Sequence, residues 1–112
     1  MKVQVRLRGL ESEVLTRRIV ERKLRFAIGR IQPQIAEVHA EVSDVNAGRG
    51  GIDKHCKLTA KAGRGPVVIS EAMDATVEVA VDRAADRLAR SIARHLNRRR
   101  EFARDSIRTD IW

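Results

Sequence analysis

The stretch VEVAVDRAADRLARSIARHLNRRR, residues 77–100, decides the architecture. Val77, Val81, Ala84, Leu88 and Ile92 recur at helical spacing, and at about 100° per residue they point to one side. Arg83, Arg87, Arg90, Arg94 and Arg98 fall within a sector of roughly 80° on another side. From Arg83 to Arg100 there are seven arginines and one acid, Asp86, so i,i+4 pairing leaves most of the charge uncancelled. Such a helix lays one face on a core and presents the other outward. The planar arginine fork donates two hydrogen bonds to one anionic group, which suits phosphate. A solvated helix also uses arginine for solubility, but the one-sidedness favours a binding face. Asp82 and Asp86, at i and i+4, read as ordinary helix-surface salt-bridge partners in preference to residues that orient the neighbouring arginines.

The elements upstream give this helix something to pack on. Val3, Val5 and Leu7 alternate with Gln4, Arg6 and Arg8, the period of a half-buried strand that ends at Gly9. Ser12 can cap a first helix running to about Ile31, where Gly29 and Pro33 supply stop signals. Leu15, Ile19, Val20, Leu24, Ala27 and Ile31 give that helix its expected apolar face. Arg18, Arg22 and Arg25 form a basic stripe, with Lys23 and Arg30 nearer the apolar side. A second strand is expected over residues 35–45 and a third over 52–62, joined by the turn NAGRGG at 46–51. Gly63 to Pro66 make a tight connection to a fourth strand, which starts at Val67 and fades near Met73. The long helix then begins near Asp74 or Thr76, either of which can cap it, and runs to about Arg100. Residues 101–112 read as a frayed helical extension or tail.

The fold class is therefore α+β, in the order β-α-β-β-β-α. Two successive hairpins make the last three strands an antiparallel meander, with both helices on one face of a four-stranded sheet. Residues 1–100 form the expected domain and 101–112 its tail. At 112 residues the chain is long enough to bury a core without metal or disulfide staples.

Composition narrows the function. Lys and Arg total 23 against 15 acids, a net charge of +8, with a sequence pI near 11.0. That balance points to nucleic acid or an anionic membrane surface. A membrane-binding face would need aromatics, and the only ones are Phe26, Phe102 and Trp112. The same scarcity disfavours a track of stacked single-stranded bases, leaving structured RNA or a duplex backbone. The expected RNA-binding set is Arg18, Arg22, Lys23, Arg25, Arg83, Arg87, Arg90, Arg94 and Arg98.

Chemistry other than binding finds no support. Cys56 is the sole cysteine, which excludes an internal disulfide, and it alternates with His55 across a strand, so the two cannot act as nucleophile and base. His39, His55 and His95 lack a zinc-ligand spacing, so no metal is expected. The glycine-rich turns lack the strand-loop-helix context of a phosphate-binding loop. Glu37 and Glu41 stand too far apart on an exposed strand face for shared acid-base work. No cofactor or small-molecule substrate is expected. With no signal peptide or spanning segment in view, the expected location is cytoplasmic.

The element order and certain residues resemble the family of ribosome hibernation-promoting factors, also called ribosome-associated inhibitor A or sigma-54 modulation proteins. Ala80-Val81-Asp82 followed by Asp86-Arg87-Leu88 is similar to the family's Ala-Ile-Asp and Asp-Lys-Leu run. In the first helix, Arg17, Val20, Lys23 and Leu24 resemble its Arg, Val and Lys-Leu pattern. The similarity covers Val3 to about Arg99. Glu78 stands where the family usually has an aromatic, and without a second domain of the ribosome-pairing kind the chain resembles a short-form member.

The resemblance implies a double-stranded-RNA-binding-domain-like fold and a role in ribosome hibernation, in stress response and stationary phase. It implies binding to rRNA, and to ribosomal proteins, in the small-subunit channel between head and body, blocking the tRNA and mRNA paths without catalysis. The alternatives are a general binder of structured RNA and a protein-interaction modulator of a sigma factor. An enzyme acting on RNA lacks acid-base candidates.

Overall fold

The structure, a computed structural model, describes residues 2–10, 13–29, 35–45, 53–61 and 67–110, with side chains described to His95 in the last segment. The element order is β1 (Lys2–Arg8), α1 (Glu13–Gly29), β2 (Glu37–Asp44), β3 (Lys54–Lys61), β4 (Val67–Asp74) and α2 (Val77–Asp110). The sheet order is β1-β2-β3-β4. The meander expected for the last three strands is present: β2 pairs antiparallel with β3, and β3 with β4. β1 pairs parallel with β2, because α1 carries the chain back across the sheet and lets both strands run the same way. The glycine-rich turns at 46–51 and 63–66 lie outside the described residues.

Alternation along each strand sends one set of side chains beneath the helices. Val5, Val38, Ala40, Val42, Cys56, Leu58, Ala60, Val68 and Ala72 are buried there. The helices cover them with Val20, Leu24 and Ile28 from α1 and with Val81, Ala84, Leu88 and Ile92 from α2. Each large side chain so buried contributes about 1.5–3 kcal/mol relative to exposure. Ala80 and Ala84 let α2 settle close to the sheet. Ser70 then ties it to β4, its buried Oγ donating to the Ala84 carbonyl at 2.7 Å.

Two expectations about the helices change. Leu15 is 61% exposed and does not join the core face of α1, which is built from Val20, Leu24 and Ile28. Nine residues at about 100° each put Leu15 diametrically opposite Leu24, so the two cannot share a face. Ser12 and Ile31 lie outside the described residues. α2 continues through Asp110, beyond the Arg100 limit, because no Gly or Pro between 98 and 110 stops it. Thr76 is the cap: its Oγ1 accepts from Val79 N at 3.3 Å, whereas Asp74 holds the preceding turn through Ala75 N at 2.7 Å.

On each sheet edge a helix arginine bonds one outward carbonyl. Lys2 N donates to Ala36 O and Val45 N to Asp53 O, and these bonds fix the phase of the ladders. Val5 on β1 and Glu71 on β4 therefore turn their backbone groups toward the free edges. Arg17 donates to the Val5 carbonyl and Arg87 Nη1 to the Glu71 carbonyl, the latter at 2.7 Å. A guanidinium on an edge carbonyl occupies the acceptor that a foreign strand would use. At the other end of β1, Gly9 turns the chain with φ of 70°, and a Cβ there would sit 3.4 Å from the Asp44 carbonyl.

Candidate nucleic-acid interface

The molecule has two broad faces, and charge distinguishes them. On the open face of the sheet the strands set opposite charges side by side. One row reads Arg6, Glu41, Lys57, Glu71, and another begins Lys2, Glu37, Lys61. Such cross-strand pairs stabilise the sheet by about 0.2–1 kcal/mol each and cancel much of its field. Glu37 also meets His39 Nε2 at 2.9 Å, and Glu71 meets His55 Nε2 at 3.4 Å.

The helical face is different. α1 carries five cations, Arg17, Arg18, Arg22, Lys23 and Arg25, against two acids, Glu13 and Glu21. Arg18, Arg22 and Arg25 are exposed and point away from the core, as do Arg83, Arg90 and Arg94 on α2. Because the helices lie side by side over one sheet, the two stripes form one cationic surface. The α2 arginines have weak intramolecular partners. Arg90 reaches Asp86 at 3.3 Å with both side chains about three-quarters exposed, a pair worth about 0–1 kcal/mol. Arg94 meets Ser91 Oγ at 3.3 Å and Arg83 meets Asp74 at 3.2 Å. Phosphate can displace contacts of this strength.

Lys23 and Arg87 hold more structural positions within the expected set. Lys23 Nζ lies 2.9 Å from both carboxylate oxygens of Asp82, bridging α1 to α2, and is only a quarter exposed. Asp82 thus joins two helices instead of orienting arginines on its own helix. Arg87 spends one donor on β4, though its side chain is exposed. The backbone of Arg98 continues α2, and its side chain is outside the described set.

Between the helices runs an open groove of about 860 Å³. Arg22 and Arg83 stand on its rims, and Ala27, Ala85 and Ala89 make its floor. Phe26, 66% exposed, forms part of its wall. Sequence reading missed this groove, and the available signal was the pair Ala85 and Ala89, small residues where α2 faces α1.

The remaining candidates for chemistry stay apart. Cys56 is fully buried, and burial pushes its thiol up to about 12, so it is neutral and inert as a nucleophile. Asp53 is buried with Oδ1 2.9 Å from Lys54 Nζ, which also meets Asp44 at 3.0 Å; these two hydrogen bonds raise the Lys54 pKa. That cluster closes the β2–β3 hairpin. Among the described residues no group of His, Cys, Asp and Glu is arranged to hold a metal, and no helix is long and apolar enough to cross a membrane.

Residues 3–100 match the family model described as sigma 54 modulation protein / S30EA ribosomal protein. No curated protein matches the sequence. Among solved structures, a ribosomal subunit interface protein from Coxiella burnetii is similar, with a TM-score of 0.68 and 21% identity over 87% of this chain and 99% of that one. The N-terminal domain of Thermus thermophilus Protein Y is similar with a TM-score of 0.67 and 25% identity, over 85% and 99% of the two chains.

Proposed function

The chain belongs to the sigma 54 modulation protein / S30EA ribosomal protein family, and from that premise we propose that it binds the small ribosomal subunit and silences it by occupying the tRNA and mRNA path. The observation that carries this reading is the arginine surface formed by α1 and α2, on a molecule whose opposite face sets many of its cations beside acids on neighbouring strands. Arginines arranged on two rigid helices match rRNA segments by shape and phosphate position, without reading a sequence. The name of the Coxiella relative, a ribosomal subunit interface protein, supports the same partner.

Inhibition on this reading is occlusion. Among the described residues the one cysteine, Cys56, is locked in the core with its thiol neutral, and the arginines act by binding phosphate. The action belongs to ribosome hibernation in the cytoplasm, in stress and stationary phase. Arg98 and the following turns of α2 extend the cationic surface along rRNA, with residues 1–100 as the docking domain and 101–112 as its arm.

Co-sedimentation with purified ribosomal subunits tests the proposal. The protein should travel with small subunits at one copy per particle and be released by high salt, while an equal mass of free duplex RNA competes poorly. Equal affinity for duplex RNA would favour a general structured-RNA binder instead.

A further inference from the structure

The groove between α1 and α2 has a feature that phosphate binding does not use. Phe26 stands in its wall with two thirds of its surface exposed, in a chain that has only three aromatic residues. Scattered exposed apolar residues are ordinary on protein surfaces. This one is placed between cations. Arg22 lies one helical turn before it on α1, and Arg83 faces it from α2, both lining the same groove. The floor beneath is made of Ala27, Ala85 and Ala89, so the space beside the ring stays open where larger side chains would fill it. Asp86, 71% exposed, adds a carboxylate that can accept a hydrogen bond.

We propose that this groove takes one unpaired nucleobase of structured RNA, stacked on the Phe26 ring with its flanking phosphates held by Arg22 and Arg83. The inference rests on the ribosome-binding reading for its biological partner, but its chemistry is independent of it. A planar base presents a π-face to the ring and amino or imino donors at its edge, for which Asp86 is the acceptor. The forked guanidinium groups on the rims suit the phosphates on either side. The volume, about 860 Å³, is ample for a base and its sugar, and the open mouth lets the strand enter and leave. A peptide partner would be a poorer match, since the arginines would then need acidic side chains around a single apolar anchor. Most of the interface thus reads shape and phosphate, and this one position reads whether a base is free.

The test uses Phe26→Leu, which keeps apolar bulk but removes the π-face, and Phe26→Trp, which restores it. Binding is measured to purified small subunits and to an RNA hairpin with one bulged base, beside its fully paired counterpart. The wild-type chain should prefer the bulged hairpin. Phe26→Leu should lose that preference and weaken binding to bulged hairpin and small subunit alike by roughly fivefold to a hundredfold. Phe26→Trp should recover most of the loss, with salt dependence and melting temperature unchanged in both variants. A Phe26→Leu protein that binds like wild type, a Phe26→Trp protein as weak as Phe26→Leu, or a wild type indifferent to the bulge would overturn the inference. A chain that reads the bulge through Phe26 yet ignores small subunits would overturn the ribosomal function and leave the nucleobase site standing.

Discussion

Replacing Arg90 and Arg94 together with alanine isolates the phosphate-binding role of the helical face. Their intramolecular contacts are 3.3 Å surface bonds to Asp86 and Ser91, and Arg90 is 74% exposed, so losing them should change stability by less than about 1 kcal/mol. Binding should respond far more. Each phosphate contact contributes roughly 0.7–0.9 to the slope of log affinity against log salt, so two lost contacts flatten it by about 1.4–1.8. Between 50 and 200 mM salt, a fourfold change or about 0.6 decades, the wild type should therefore lose about tenfold more affinity than the variant. Fluorescence anisotropy of labelled protein titrated with small subunits, at several potassium concentrations and fixed magnesium, measures both slopes. Parallel slopes for the two proteins, with the variant still folded, would refute the assignment of this face to phosphate.

Cys56 links pH to stability. Its folded pKa is raised to about 12 against an unfolded value near 9, so below pH 9 the thiol is protonated in both states and has no effect. As pH rises past 9 the unfolded chain ionises and the native one does not, so stability should fall by up to about 1.4 kcal/mol per pH unit. Comparing denaturation midpoints of wild type and Cys56→Ala from pH 8 to 10.5 should reveal that extra fall only in the wild type; coincident pH profiles would show that the thiol ionises in the native state. Truncation after Asn97 keeps every buried residue named above and removes Arg98, Arg99, Arg100, Arg104 and Arg108. It should weaken small-subunit binding while moving the melting temperature by no more than a few degrees, and a large thermal shift with unchanged affinity would mean that the segment packs instead of binding.

The fold was legible because its signals are local. Period-two alternation from Val3 to Leu7 and from Cys56 to Ala60 marks strands, and the 77–100 pattern marks a helix with a fixed inside and outside. The α1 face was read less well. Leu15 and Ile19 extend the apolar count but not the angular sector, and the core takes Val20, Leu24 and Ile28, with Ala27 packed against it. The basic stripes on both helices were also legible, since residues on one helix share a face by spacing alone. Pairings between distant segments were not. Lys23 and Asp82 stand 59 residues apart, and Arg87 reaches a β4 carbonyl, contacts set by how α1 and α2 settle on the sheet. The interhelix groove belongs to the same class: it exists because Ala85 and Ala89 face α1, which no single segment encodes.

Competition on the small subunit tests the central claim most directly. Small subunits carrying mRNA and a tRNA in the peptidyl site are titrated with the protein, and release of labelled tRNA is followed alongside protein binding. Occlusion requires mutual exclusion, so tRNA should be displaced at about one protein per subunit and excess tRNA should raise the apparent Kd of the protein. Simultaneous binding of both, with neither weakening the other, would contradict the account.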